Sequence, residues 1–382
     1  MRKCCIPNIY PPLGCDEPLN IAEQTIGWLR TEHLRADEQW SYLLPTGFSW
    51  WADQYLQTIE IVGEETGPAG ETGYLVCVRT ELLRDLDLTE AALAEINALP
   101  MRCASMAGPV YDVPARRLDL WSLVRVTADN EGWIRFLLGA AAVVQLAEAR
   151  TLGPVLAQAV GALPATSEHP ESGHRHTPDQ MTYAAAVFVD SGDRPPAWTQ
   201  AEFTDAVSQY MNRPPVAAAV EDRGVSIEFP FGDQISPCRL RADQPHPLYG
   251  NGLLVLQRFP VKAPSEDEGI RMALSLNAAD LTRQVTGYGL GSYVYADGAL
   301  HHTAFLPNAL HRPGLLGNVF SSCAARAQRM AARFTEGTWD ADAFSLDPAV
   351  LARRLERQRT AAPVQERPLR GCPMMRARAG GN

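Results

Sequence analysis

No stretch of about 20 apolar residues occurs in this chain of 382 residues, so no membrane span is expected from sequence. The longest apolar run, Phe136 to Ala147, is short, Ala-rich and interrupted by Gln145. No apolar segment follows Arg2 and Lys3, so a secretory signal peptide is not expected either. Paired cysteines are also missing. The eight cysteines, at positions 4, 5, 15, 77, 103, 238, 323 and 372, show neither CxxC spacing nor a disulfide framework. They read as reduced thiols, and a cytoplasmic location is expected. Cys4, Cys5 and Cys15 lack the short-spaced pairs of a zinc site, and His169, His174 and His176 lack a Cys or carboxylate to complete a set. No metal and no other cofactor is expected.

Excess positive charge is absent. Lys and Arg number 34 against 44 Asp and Glu, a formal net charge of −10. Binding along a phosphate backbone needs the opposite balance, so a nucleic-acid partner is not expected. The Arg-rich tail, residues 341–382, reads as solvated and partly disordered, its arginines offset by Asp347, Glu356 and Glu366. Catalytic motifs are lacking as well. Gly287-Tyr288-Gly289-Leu290-Gly291 has no Lys-Ser/Thr after it and precedes a strand, so it reads as a flexible loop. The one nucleophile reading is Cys323 with His301 or His302 as base and Asp297 nearby, which would make a cysteine-dependent hydrolase or transferase. Cys323 falls on the apolar side of its helix, where a free thiol usually acts as a small hydrophobe.

What is present is a repeated order of elements. An irregular arm, residues 1–18, precedes a helix running from Leu19 toward Trp40. Phe48 to Val62 and Tyr74 to Thr80 read as strands around a Gly- and Glu-rich loop, Gly63 to Gly73. Thr89 caps a helix closed by Pro100. Strands follow near Met101–Val113 and Leu118–Thr127, and Asp129 or Asn130 begins a helix to about Arg150. Residues 161–198 hold Pro164, Pro170, Pro178, Pro195 and Pro196 among Gly, Ser and His, and read as a linker around an apolar island, Tyr183 to Asp190. From Thr199 the order recurs. Val225, Ile227 and Phe229 alternate with Ser226 and Glu228, the pattern of a half-buried strand. Asp297-Gly298 predicts a hairpin turn. Leu315 to Phe334 closes the series as a helix.

The expected fold is therefore α+β: two tandem modules over residues 19–160 and 199–340, each a twisted antiparallel sheet packed with helices in the order α-β-β-β-α-β-β-α. The passages Asp243-Gln244-Pro245-His246-Pro247 with Gly250-Asn251-Gly252-Leu253-Leu254, and Phe305-Leu306-Pro307-Asn308-Ala309-Leu310 with Arg312-Pro313-Gly314-Leu315-Leu316, resemble YbjN-like bacterial proteins. The element order resembles the wider superfamily of type III secretion chaperones. That resemblance implies non-catalytic binding of unfolded or extended protein segments, often by dimers, and an association of some members with bacterial secretion and conflict genes. With two modules in one chain, an intrachain pseudo-dimer and a monomeric protein are expected. Trp50 and Trp51 are adjacent on a strand and so point to opposite faces, which puts one in the core and leaves the other as an interface anchor. The candidate partner-binding residues are Trp50, Trp51, Leu254, Leu256, Tyr293 and Tyr295.

Overall fold

The computed structural model describes residues 19–66, 70–188, 197–211, 218–282 and 289–335. The arm with Cys4, Cys5 and Cys15, the Arg-rich tail, and Gly287 and Tyr288 lie outside the described residues.

The first module begins with α1 (Ile21–Trp28), opened by a reciprocal cap in which Asn20 accepts from the Glu23 N–H and Glu23 accepts from the Asn20 N–H. The helix ends well before Trp40. It relaxes into one wide π turn, Leu29–His33, and stops at Arg35, whose φ of +49° cannot continue a right-handed helix. Four strands follow: β1 (Ser41–Leu44), β2 (Gly47–Trp51), β3 (Leu56–Thr66) and β4 (Thr72–Arg84). Then come α2 (Glu90–Arg102), β5 (Gly108–Asp112), β6 (Arg117–Val126) and α3 (Glu131–Val160). The sheet is antiparallel throughout, with order β1-β2-β3-β4-β6-β5.

The second module repeats this plan with α4 (Gln200–Met211), β8 (Ala218–Glu221), β9 (Gly224–Phe231), β10 (Gln234–His246), β11 (Gly250–Phe259), α5 (Glu266–Thr282), β12 (Ser292–Ala296), β13 (Ala299–Pro307) and α6 (Leu315–Thr335). Its sheet runs β12-β13-β11-β10-β9-β8, so the two strand orders coincide element by element. The architecture is the expected α+β pair of antiparallel sheets, with four strands rather than three before the middle helix. The Asp297-Gly298 turn forms as its residues dictate, with φ of +52° and +69°.

Residues 161–188 depart most from expectation. They form no free linker but a strap across the first module. β7 (Leu163–Pro164) pairs with β4, Thr166 bridges Tyr55, and Ser167 N–H donates to the Gln54 carbonyl. The apolar island begins inside a run of tight 3-10 turn, Gln180–Phe188, packed on α3. The prolines do not prevent this, because an edge strand and a tight turn need few of the amides that proline lacks. Helix α3 runs ten residues beyond the expected Arg150. It is long and apolar enough to cross a membrane, yet 72% of its most apolar window is buried within the protein, as in a core helix.

The two modules share their hydrophobic cores. One cluster joins Leu146 and Met106 to Tyr249, Leu253 and Phe305. Another joins Leu93 and Ile96 to Met272, Tyr293 and Tyr295. Backbone bonds cross the seam reciprocally. Gly108 opposes Trp121 at the start of β5, and Ser292 opposes Thr303 at the start of β12. Three residues earlier in each case, Ser105 accepts from Phe305 N–H of β13 and Gly289 accepts from Leu123 N–H of β6. Each module thus extends the other's sheet by the same step. Gly289 is required there: its φ is +58°, and a Cβ would lie 1.9 Å from the Leu123 carbonyl oxygen. The expected flexible loop is, at Gly289 to Gly291, part of a tight seam.

The outward edge of β12 is also closed. Asn97 of α2 donates to the Tyr295 carbonyl (2.8 Å) and accepts from its N–H (2.9 Å), while Asn277 of α5 does the same for Tyr293 (3.1 and 2.7 Å). Asn97→Ala would leave both groups of Tyr295 buried and unpaired, at about 1–3 kcal/mol each. A loss of about 2–5 kcal/mol in urea unfolding is expected, and a loss below about 0.5 kcal/mol would show that the edge does not depend on Asn97.

Candidate functional site

The six residues expected to meet a partner are dispersed. Trp50 is fully buried and its indole N–H donates to Gln57 Oε1 (3.0 Å). Trp51 points to the other face, and there the strap covers it. Its N–H donates to Ser167 Oγ (2.9 Å), and His169 packs edge-on at 5.0 Å. Both tryptophans are therefore interior. Tyr293 and Tyr295 are buried beside α5 and α2. Leu254 and Leu256 alone are half-exposed, on the outer face of the second sheet.

The Cys323 constellation is not assembled among the described contacts. Cys323 is 1% exposed, and its thiol faces Cys238 of β10. The hydrogen bond from Cys238 holds the Cys323 thiol below its ordinary value, while burial pushes Cys238 well up. His302 packs edge-on against Tyr293, and burial keeps its pKa well below the usual imidazole value, so it is neutral. His301 Nε2 is 3.2 Å from the Ala296 carbonyl and is likewise lowered by burial. No described hydrogen bond joins either imidazole to Cys323.

A cleft lies elsewhere, where the strap returns past the end of α1. It has a volume of about 690 Å³ and is walled by His33, Arg35, Trp40, Arg175, Asp179 and Met181. Its geometry follows from local rules. The π turn and the positive φ at Arg35 redirect the chain after α1, and the returning strap forms the opposite wall. Asp37 caps the short turn carrying Trp40 by accepting from Gln39 N–H. Arg175, only 7% exposed, ties the floor together. It donates to the carbonyls of Trp51 (2.5 Å) and Thr177 (3.1 Å) and to Asp179 (3.1 Å), lies 3.6 Å from Asp37, and sits 5.3 Å over the Trp40 ring. Aromatic groups continue outward from the lining residues His33 and Trp40. His33, its pKa lowered by burial, stacks on Trp28 at 5.2 Å. The Arg135 guanidinium lies between Trp28 (4.6 Å) and the exposed Phe136 (5.3 Å). Exposed Tyr42 packs beside Trp51 and His169. The charged groups on the floor are engaged with one another, so the cleft offers ring faces, a thioether and a mixed-charge rim. Sequence pointed to none of this, because the strap that builds the cleft has the composition of a linker.

A second group missed from sequence lies in the seam. Glu148 of α3 is fully buried and accepts from Ser105 Oγ (2.8 Å), with Tyr249 and Cys103 nearby. His246 stacks on Tyr249 at 4.6 Å; its Nδ1 accepts from Leu248 N–H, which assigns the proton to Nε2, facing the Ala104 carbonyl at 2.9 Å. Burial, then the nearby Glu148, push the Cys103 thiol up to about 12, so it stays protonated. Burial raises the Glu148 carboxyl to about 7, against hydrogen bonds from Ser105 and Tyr249 that lower it. The available signal was a carboxylate in line with the buried stripe of an Ala-rich helix.

Because folding raises this carboxyl, the folded chain retains a proton that the unfolded chain releases near the ordinary value of 4.5. Its contribution is present below that value, falls as pH rises toward about 7, and is constant above. The expected loss is about 3 kcal/mol between pH 4.5 and 8. Glu148→Gln should match the parent at the acid end and exceed it by that amount at pH 8. Urea titrations giving the same difference at both pH values would remove Glu148 as the cause.

No protein-family model, no curated protein and no solved structure matches this chain.

Proposed function

We propose that the chain is a non-catalytic protein-binding module, a chaperone-like adaptor for a bacterial protein partner, and that the cleft at Trp40 and Arg175 is its recognition site. One observation carries the reading: the cleft presents aromatic faces, Met181 and guanidinium groups around a floor whose charges are already engaged. Such a surface supplies contact area rather than a poised nucleophile or base. Trp, Tyr and Arg are enriched at the energetic centres of protein interfaces, and Met adapts to irregular partners. The resemblance of residues 243–254 and 305–316 to YbjN-like proteins favours the same class and a place beside a secretion or conflict system. In this reading the second module fills the position of a partner subunit, so the working species is a monomer.

Capture from the native host, followed by affinity measurement with the recovered protein, tests the proposal. Trp40→Ala and, separately, Met181→Glu should each weaken the complex by about 30-fold, the effect of removing an anchor worth about 2 kcal/mol. Far-UV circular dichroism should be unchanged. Unaltered affinity in both variants, or turnover of a metabolite by the pure protein without any protein partner, would overturn it. Light scattering should give a mass near 41.8 kDa; a doubled mass at micromolar concentration would refute the monomer.

A further inference from the structure

The outer face of the second sheet has an arrangement that the cleft does not account for. Its inner face is closed by α4 and α6 over Val225, Ile227, Phe229, Leu240 and Val255. On the outer face, register places Arg241 opposite Leu254 and Arg239 opposite Leu256, with Arg258 two residues further along β11. Leu254 and Leu256 are half-exposed; Arg239 and Arg258 are exposed. Next to them on β13, Phe305, Thr303 and His301 are buried, so the open area is confined to β9, β10 and β11. Arg241 is neutralised by Glu221. Arg239 and Arg258 make no ion pair among the described residues, and they flank the two leucines. The nearest carboxylate along β9 is Glu228, exposed and opposite Pro237. The face is thus a narrow apolar strip edged by unpaired positive charge, on a chain whose net charge is −10.

We propose that this face docks an acidic amphipathic helix from a protein partner, with apolar side chains on Leu254 and Leu256 and carboxylates on Arg239 and Arg258. This deepens the protein-binding reading, on which it rests, by naming the chemistry of a partner segment. A helix fits because the site is a sheet face, whose backbone groups are already paired. An added strand would need a free edge, whereas a helix covers a face by side-chain packing alone. An acidic partner fits because exposed guanidinium groups on both strands bind carboxylates in paired geometry. Nucleic acid is disfavoured, since these residues include no aromatic side chain on which a base would stack. A second copy is disfavoured, since an isologous contact would oppose arginine to arginine.

The test uses the full chain and two labelled helical peptides in fluorescence anisotropy, one of alternating Leu and Glu faces and one with Lys in place of Glu. The parent protein should prefer the Glu peptide. Arg239→Glu with Arg258→Glu should weaken it by about tenfold or more and shift the preference toward the Lys peptide, and salt should reduce the parent's affinity. Leu256→Ser should weaken both peptides. Arg84→Glu with Arg150→Glu, exposed sites on the other module, should change neither. Equal affinity of the parent for the two peptides, an unchanged Glu peptide in the Arg239/Arg258 variant, or an equal loss in the Arg84/Arg150 variant overturns the proposal. So does a doubled solution mass abolished by Arg239→Glu. If host-partner binding still depends on Trp40 and Met181 while the peptide arm fails, only this inference falls.

Discussion

Backbone groups at a sheet edge must find partners, and this constraint organises the molecule. β6 outruns β5, and β13 outruns β12, so each sheet has exposed backbone beyond its last short strand. Each vacancy is met by the segment entering the short edge strand of the opposite module, through Leu123 with Gly289 and Phe305 with Ser105. Asn97 and Asn277 complete the same task along β12 with side-chain amides. Buried unpaired amides are costly, so these bonds fix the relative position of the modules more sharply than the apolar contacts around them. Hydrophobic packing holds the seam closed, and the backbone pairing sets its register.

Within each module, a buried amide joins the sheet to the closing helix. In the first, Gln57 donates to Thr80 and to the Ala142 carbonyl of α3, while Gln145 of α3 bonds back to Val78 and Ser122. In the second, Gln257 donates to Ser236 and to the Cys323 carbonyl of α6. Such bonds orient a helix that apolar burial alone would let slide. They also explain where the polar residues of otherwise apolar elements go. Cys323 contributes its carbonyl to this tie, and its thiol rests against Cys238 in the same interior.

The strap reshapes the surface of the first module. Arg175 and Ser167 reach partners 124 and 116 residues earlier, Trp51 in both cases. Without the strap the outer face of β2 would expose Trp51, and the gap beside α1 would be a flat surface. With it, Trp51 becomes interior and Trp40 lines the cleft that the strap helps to wall. The two proposed docking surfaces lie on different modules, one aromatic and mixed in charge, the other aliphatic and basic.

Local features were legible in the residues themselves. Alternation in Val225, Ile227 and Phe229, the Asp297-Gly298 turn, the Thr89 cap and the apolar stripe of α3 depend on neighbours a few positions away, and each forms as its chemistry dictates. The repeated order of elements follows from these, and with it the α+β architecture. Burial of a whole face does not. Whether Trp51 meets water depends on residues 163–179 folding over it, and whether Gly289 tolerates a side chain depends on a carbonyl of the other module. Composition made the strap look like a linker, because its favourable terms are bonds to distant strands rather than any period of its own. The elements and their order were thus determined by short-range physics written in the sequence. The seam, the covered tryptophan and the cleft were decided by the tertiary structure, since each exists only where segments remote in the chain meet and satisfy one another.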